Sequence, residues 1–541
     1  MGDQSIINIK NRTMKLKYIW MLSLLVGLTA CEQGKYDNDV DVPIEVVSGD
    51  ADFTNMVSFG ASFVAGVSDA TVFIASQENS FPNIMAQQMA LAGGGDFIQP
   101  MVNDNIGGLL FGGNVIVGPR LYFDGSGPAT LDGTPTTETT NVISGPFNNM
   151  GVPSAKSFHF LAPGYGNLAG VPLGLANPYF ARMASNPNAT ILEDALAKNA
   201  SFLVISDVGG NDVLSYAISG GTGVDQTGNF DPTTYGPDDI TDPNVFAQAT
   251  SGIVGALTAG GAKGVIANIP YVTNLPYFTT VPFNPLDPND PDSNFGALVP
   301  LLNDLYGQLN AAYAFLGVPE RSVVFSETEV SPVVIEDKSL ANIGPQLTQV
   351  LIGGGVDPLT ATLFGAQFGQ SRQANERDLL TLPNLNYIGN LNEEYFGFLT
   401  SQGVPPADAG QLSVNGITYP LGDQWVLIPD EITSIETATD AYNATITALA
   451  GQAGLGLVDA KSILEQLANG GIASDGFLLR SDYVFGGTFS MDGLHLSARG
   501  SAMLANEFLK VIDENFNSNF QEANALVDVG DYPAFYSENL R

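Results

Sequence analysis

Four short apolar segments, separated by much longer stretches of chain, constrain the fold most strongly. They are residues 56–60 (MVSFG), 200–206 (ASFLVIS), 264–270 (GVIANIP) and 455–459 (LGLVD). The third and fourth segments each follow a stretch with helical character, at 246–259 and 431–449. Strands that are apolar on both faces are typical of a parallel sheet covered by helices on each side. The alternation therefore predicts an α/β fold with a mostly parallel sheet.

The stretches between these segments are too long for simple connections. Residues 93–146, for example, are rich in glycine, threonine and proline, which indicates loops or an insertion. We expect one folded domain over residues 51–541, interrupted by insertions around 67–147 and 220–450.

The charge balance excludes one large class of partners. The chain of 541 residues carries 56 acidic and 19 basic residues, a formal net charge of -37. Nucleic acid is not an expected partner, because phosphate contacts need clustered lysine and arginine. The same charge repels anionic substrates and favours a substrate whose reacting part is neutral.

The N-terminus has the pattern of an export signal. Four basic residues precede an apolar run at 18–28, which leads to the sequence LTAC and to Cys31, the only cysteine of the chain. LTAC resembles a bacterial lipobox, which implies cleavage before Cys31 and diacylation of its thiol. Residues 32–50 are polar and acidic, and we expect them to be a flexible tether. The predicted location is the cell envelope, lipid-anchored in the outer membrane; a short buried N-terminal helix is the alternative.

Histidine is scarce, and this narrows the search for a general base. The chain contains two, His159 and His495. Asp492 lies three residues before His495, so one turn can bring its carboxylate to Nδ1 while Nε2 faces a nucleophile. An ordinary surface turn is the alternative interpretation of this pair. His159 stands between two phenylalanines, and we expect it to have a packing role.

Ser62 is the candidate nucleophile. It lies in GASFVAG (60–66), directly after the first apolar segment. Open α/β folds bind their ligands at the carboxyl ends of their strands, and a helix N-terminus there favours developing negative charge. Capping of the following helix is the alternative role for this serine.

These segments together resemble the SGNH hydrolases, also called GDSL lipases and esterases. Four sequence blocks occur in the family order: 60–66, 148–153 (NNMGVP), 209–212 (GGND) and 492–495 (DGLH). The resemblance implies a three-layer α/β/α sandwich with an approximately five-stranded, flavodoxin-like sheet. Ala61 departs from the family pattern, since it replaces the aspartate of the GDSL motif.

The resemblance also implies the roles of individual residues. Ser62 is the expected nucleophile, His495 its base, and Asp492 the acid that orients the base. The backbone amides of Ser62 and Gly151 and the side chain of Asn211 are the expected oxyanion donors. No metal or organic cofactor is needed for this chemistry.

The predicted function is that of a serine esterase or lipase acting on a small-molecule or lipid ester. A surface lipoprotein that keeps the fold but only binds is the main alternative, and a structural envelope protein is another. The sequence leaves open whether the substrate is a lipid or an acetylated carbohydrate, and what the oligomeric state is. Asp287, Asp290 and Asp292 form an acidic loop that is either solvated or a Ca²⁺ site.

Overall fold

A computed structural model of the chain describes residues 44–540. The predicted signal segment, Cys31 and residues 32–43 of the predicted tether lie outside the described residues. Residues 46–50, which we counted with the tether, contact the C-terminal part of the chain: the amide of Val47 donates to Asn519 Oδ1 at 2.8 Å, and the amide of Asp50 donates to the Phe516 carbonyl at 2.6 Å.

The strands, numbered in chain order, are short. They are β1 Met56–Gly60, β2 Leu109–Phe111, β3 Asn114–Val117, β4 Leu121–Phe123, β5 Pro128–Thr130, β6 Asn149–Gly151, β7 Phe202–Ser206, β8 Lys263–Ala267, β9 Val334–Glu336, β10 Ser371–Gln373, β11 Leu379–Leu380, β12 Val426–Leu427, β13 Gly456–Val458, β14 Ile472–Ser474 and β15 Phe477–Leu479.

The α-helices are more variable in length. They are α1 Ser62–Ala65, α2 Ile74–Glu78, α3 Phe81–Ala90, α4 Pro178–Met183, α5 Ile191–Leu196, α6 Asn211–Ile218, α7 Pro243–Thr258, α8 Pro276–Thr279, α9 Phe295–Leu316, α10 Gly344–Gly353, α11 Pro358–Phe368, α12 Glu393–Ser401, α13 Pro406–Gln411, α14 Pro429–Ala453, α15 Ala460–Ala468 and α16 Ala498–Phe516. None of these described helices has both the length and the apolar character needed to cross a membrane.

Five strands form the central sheet, in the order β13-β8-β7-β1-β6, and every pairing is parallel. The predicted α/β class is therefore confirmed. Strands β1 and β7 are buried along their whole length, which explains why both read as uninterrupted apolar runs. The four apolar segments correspond to β1, β7, β8 and β13, and the short edge strand β6 was not recognised as a strand.

Helices pack on this sheet in two groups, as expected for a layered α/β fold. Helix α16 packs against α3, while α14 packs against α7 and α6. Both α16 and α14 contact the strands β8 and β13. Helices predicted at 246–259 and 431–449 are observed as α7 and α14, each slightly longer than expected.

The strand order places a reversal next to β1. From β1 the chain crosses to β6 on one side, and from β7 it continues to β8 on the other side. At such a switch point a crevice opens outside the carboxyl ends of the two strands, and open α/β sheets bind their ligands there. The turn after β1 carries Ser62, and the turn after β7 carries Asp207 and Asn211.

A second hydrophobic core lies within residues 281–428, between β8 and α14 in the chain. It is built from α9, α10 and α11 with the antiparallel pair β9 and β10.

Residues 93–146, predicted as loop, contain two small hairpins, β2 with β3 and β4 with β5. Between these hairpins the buried guanidinium of Arg120 donates to the carbonyls of Ser537 and Leu540, at 2.6 and 3.0 Å.

Candidate active site

Ser62 is the first residue of α1, in a sharp turn at the end of β1. Gly60 makes this turn possible, because a Cβ at this position would lie 1.7 Å from the Ser206 carbonyl oxygen of the neighbouring strand. Ala61 caps the helix with a non-helical backbone and makes no side-chain cap hydrogen bond. The turn therefore presents the Ser62 side chain at the switch point, where it is buried except for 8% of its surface.

His495 and Asp492 form the predicted pair. Nδ1 of His495 lies 2.8 Å from Asp492 Oδ2. The other carboxylate oxygen, Oδ1, accepts the amides of Leu494 and His495, both at 2.8 Å. Helix α16 follows this segment directly, and the Ser497 side chain caps it by accepting the Gly500 amide at 3.0 Å. The Asp492 carboxylate thus orients the ring of His495 through Nδ1, and the capped helix follows directly.

The electrostatics of the pair favour a charged carboxylate beside a basic imidazole. Burial alone would raise the pKa of Asp492, but the His495 charge and the hydrogen bonds it receives lower it well below its usual range. Burial alone would lower the pKa of His495, but the charge and hydrogen bond of Asp492, with smaller contributions from Asp207 and Asp69, raise it above its ordinary value. An imidazole held in this way presents Nε2 as a proton acceptor.

Ser62 and His495 line the same cavity, which has a volume of about 90 Å³. The Phe63 ring stands edge-on to the His495 ring, with 5.9 Å between the centroids. Ser62 Oγ accepts a hydrogen bond from the Ser154 amide at 3.3 Å, and among residues 44–540 no hydrogen bond links this hydroxyl to the imidazole. The structure therefore brings both groups to one cavity, with the hydroxyl turned toward an amide.

Of the predicted oxyanion donors, Ser62 and Asn211 line the cavity and Gly151 does not. Asn211 begins α6 and lines the cavity, and its side-chain amide donates to the Ala155 carbonyl at 3.1 Å, which leaves its second N–H available. Gly151 ends β6, and its amide donates to Asn149 Oδ1 at 2.9 Å. Gly151 is not among the residues lining the cavity of Ser62.

Ser154, which follows Gly151, is the residue whose amide contacts Ser62 Oγ. It lies three residues further along the chain, has a left-handed backbone with φ of 61°, and directs its amide at Ser62 Oγ. Glycine is the usual residue in that conformation. A serine there gives no sign in the sequence, so this contact with Ser62 could not be predicted from it.

A turn at Asp69 and Ala70, which the sequence analysis missed, holds the acid of the pair. Both residues have positive φ, at 51° and 73°. The Ala70 amide donates to Asp492 Oδ2 at 2.7 Å, and Asp69 Oδ1 accepts the Met491 amide at 2.9 Å. Burial raises the pKa of Asp69 to about 7, against the opposing effect of the Met491 amide. This turn belongs to the stretch that the sequence indicated only as an insertion.

Asp207 is a further carboxyl group in the cavity wall. It is partly buried, has a φ of 58°, and accepts the Phe63 amide at 3.2 Å through Oδ2. Burial raises the pKa of Asp207 to about 6, although the Phe63 amide opposes the shift. Asp212, in contrast, accepts both the amide and the hydroxyl of Ser157, at 2.8 and 2.6 Å, and so holds its loop.

His159 lies apart from this cavity and packs as expected. Its Nδ1 accepts the Lys156 amide at 3.1 Å, and its ring stacks on Tyr165 with 4.4 Å between centroids. Burial, with a smaller contribution from the Lys156 charge, lowers the pKa of His159 to about 4. A neutral imidazole with an occupied Nδ1 is a structural group here.

The acidic loop at 287–292 has local hydrogen bonds. Asp287 accepts the Asn289 amide at 2.8 Å, and Asp290 accepts the Asp292 amide at 2.9 Å. Within residues 44–540, no group of three or more histidine, cysteine, aspartate or glutamate side chains is arranged to hold a metal ion.

Comparisons of the chain with protein-family models, with curated proteins and with solved structures gave no match. The function proposed below therefore depends on the geometry of the residues just described.

Proposed function

We propose that this protein is a serine hydrolase of carboxylic esters, of the SGNH type, on a flavodoxin-like three-layer sandwich. The observation that carries the proposal is the ion pair of Asp492 with His495 in the same cavity as Ser62, at the switch point of a parallel sheet. The Asn211 amide in that cavity adds a donor of the kind that acyl transfer requires. The net charge of -37 suits a substrate with a neutral reacting group.

In the proposed mechanism, Ser62 Oγ attacks the ester carbonyl carbon while His495 Nε2 takes the hydroxyl proton. Collapse of the tetrahedral intermediate breaks the bond to the alcohol oxygen, and His495 returns the proton to that oxygen. Water then attacks the acyl-enzyme with His495 again as base, and the acid leaves as Ser62 recovers its proton. Asp492 keeps the imidazole in the tautomer with hydrogen on Nδ1 throughout.

The oxyanion donors in this mechanism are the amide of Ser62, the side chain of Asn211 and the amide of Ser154 in place of Gly151. Ser62 Oγ accepts the Ser154 amide in the free protein. A rotation about its Cα–Cβ bond toward His495 frees that amide for the substrate oxygen. Hydrogen bonds of a catalytic serine often tighten only when substrate is bound.

Covalent labelling tests the proposal directly. A fluorophosphonate should label Ser62 in the folded protein, because an activated hydroxyl displaces the fluoride and forms a bond to phosphorus. Mass spectrometry locates the label. The Ser206→Ala variant, which removes another hydroxyl of the cavity wall, is expected to label normally. A folded protein that takes up no label would instead favour a lipoprotein that only binds.

Replacement of Asn211 by alanine is expected to lower kcat by about 10²- to 10³-fold with little change in KM, because one oxyanion donor is lost. Steady-state hydrolysis of p-nitrophenyl esters measures the effect. Asn268→Ala is the matched control, since Asn268 also lines the cavity but donates to Asp459 at 2.7 Å. An Asn211→Ala rate within threefold of the wild-type rate would remove Asn211 from the mechanism.

The proposed location is the cell envelope, with the mature protein anchored through a lipid on Cys31. This proposal depends on the LTAC pattern of the sequence, at residues outside the described structure.

A further inference from the structure

A second, smaller cavity lies where α1, α4 and β6 meet. It has a volume of about 20 Å³, and its wall includes Ala65 of α1, Gly151 of β6 and Arg182 of α4. It shares no lining residue with the cavity beside Ser62. What this second cavity can bind is therefore a separate question from the chemistry at Ser62.

Arg182 is buried in the wall of this second cavity with hydrogen-bond donors left over. Only 3% of its surface is exposed. Its Nη2 donates to the carbonyls of Pro100 and Met101, at 2.7 and 2.8 Å. Its Nε is buried without a hydrogen-bond partner, and its Nη1 donates to none of the described residues. A buried donor without an acceptor costs the free energy of its lost hydration, so an acceptor in the cavity would stabilise the folded protein.

The positive charge of Arg182 also lacks a counter-charge. Among residues 44–540, no carboxylate forms an ion pair with this guanidinium, and none lines the second cavity. Arg372, in contrast, pairs with Asp337 and Asp378, at 2.6 and 2.7 Å. Burial lowers the pKa of Arg182 to about 10, so the guanidinium stays charged at neutral pH. A buried charge without a partner is strongly destabilising.

The rest of the wall adds another donor. Gln77 is buried, its Nε2 donates to the Pro100 carbonyl at 3.1 Å, and its Oε1 accepts the Val102 amide at 2.8 Å. Because an amide nitrogen carries two hydrogens, one N–H of Gln77 remains available. The side chain of Asn149, in the same wall, has its oxygen and both amide hydrogens engaged. The groups that these side chains leave without a partner are therefore donors.

We propose that this second cavity binds one small monovalent anion, such as chloride, held by Arg182 and Gln77. An internal water needs about 10 to 15 Å³, so about 20 Å³ admits one monatomic ion and excludes a larger anion such as sulfate. An anion supplies both an acceptor for the guanidinium and a negative charge, whereas a water supplies only the acceptor. The bound ion joins α1, α4 and β6 and so stabilises the fold next to the turn of Ser62.

Thermal unfolding of the purified protein, in sodium chloride and in sodium gluconate at one ionic strength, measures this binding. Gluconate is too large for the cavity, so replacing it with chloride should raise Tm along a saturating curve. The rise should reach about 2 °C when chloride is about 100 times above its Kd. The net charge of -37 opposes the entry of an anion, and we therefore expect a Kd in the millimolar range.

Arg182→Met removes the charge and the donors, and it should abolish the rise in Tm with chloride, whatever its effect on Tm itself. Arg321→Met is the matched control. Arg321 is also buried, its Nη1 donates to two carbonyls and its Nε has no partner, but it does not line the second cavity. This control variant should keep the full response to chloride.

Val102→Leu tests the space instead of the charge, and it is decisive if Arg182→Met does not fold. Val102 lines the second cavity, and one added methylene takes the place of the ion while Arg182 remains. The variant should therefore unfold at the same temperature in chloride and in gluconate.

Crystals grown in sodium bromide identify the occupant, since anomalous scattering distinguishes bromide from water. A saturating rise in Tm that Arg182→Met or Val102→Leu abolishes, with bromide beside Arg182, supports the anion site. A rise that is linear in salt, that gluconate matches or that Arg182→Met retains overturns it, and so does a water in the cavity of the bromide crystals. None of these measurements uses ester hydrolysis, so a failure here leaves the proposed function unaffected.

Discussion

Replacing Ser62 with alanine is expected to lower kcat for p-nitrophenyl esters by about 10⁴-fold or more, because the acyl-enzyme can no longer form. His495→Ala should have an effect of the same order. The double variant should be no slower than either single variant, since the two side chains act in one step and their losses do not add. Single-turnover and steady-state rates of the purified variants test all three.

The other histidine supplies the control for this experiment. His159→Asn keeps an acceptor near the Lys156 amide and removes the imidazole, and it should leave kcat within about threefold of wild type. Circular dichroism and thermal unfolding establish that each variant is folded. Equal rates for the wild-type, Ser62→Ala and His495→Ala proteins would contradict the proposed mechanism.

Asp492→Asn is the second change with a large expected effect, a decrease of about 10⁴-fold in kcat, because the amide favours the wrong tautomer of the imidazole. The side chain keeps its size, so packing around the Ala70 amide should persist. Asp492→Ala should be at least as slow and less stable.

The pH profile provides an independent readout of the same pair. His495 must be neutral to accept a proton, so kcat/KM of the wild type should fall as the pH decreases through a pKa above the ordinary value of 6.5. Asp492→Asn removes the negative charge that raises this pKa, and the inflection should therefore move to lower pH as the plateau falls. An inflection that moves to higher pH would mean that another group titrates.

The sequence was sufficient to predict those features that depend on local order. The strands β1 and β7 are buried throughout, and β8 and β13 are mostly buried, so all four appear as apolar runs. The spacing of three between Asp492 and His495 fits a single turn. The edge strand β6 has only three residues, two of them polar or glycine, so no apolar run marked it.

The features that the sequence did not reveal depend on backbone conformation set by distant contacts. Ser154, Asp69 and Ala70 adopt positive φ, which their residue types do not predict. Each donates its backbone amide to a side chain far away in the chain. The second core within residues 281–428 is built from three helices and a two-stranded pair, whose packing against one another is likewise not apparent from composition. Backbone donors are therefore the part of such a site that requires coordinates.

The position of the second core between β8 and β13 sets the order in which the molecule is completed during synthesis. The turn that carries Ser62 is synthesised early. Residues 268–455 follow, and only then come the edge strand β13, the helices α15 and α16 in the wall of the Ser62 cavity, and His495. A nascent or truncated chain that ends within the second core thus carries Ser62 without a base and leaves the β8 edge unpaired. In the proposed mechanism, hydrolytic capacity is therefore acquired in the last stage of translation, after β13 has completed the edge of the sheet.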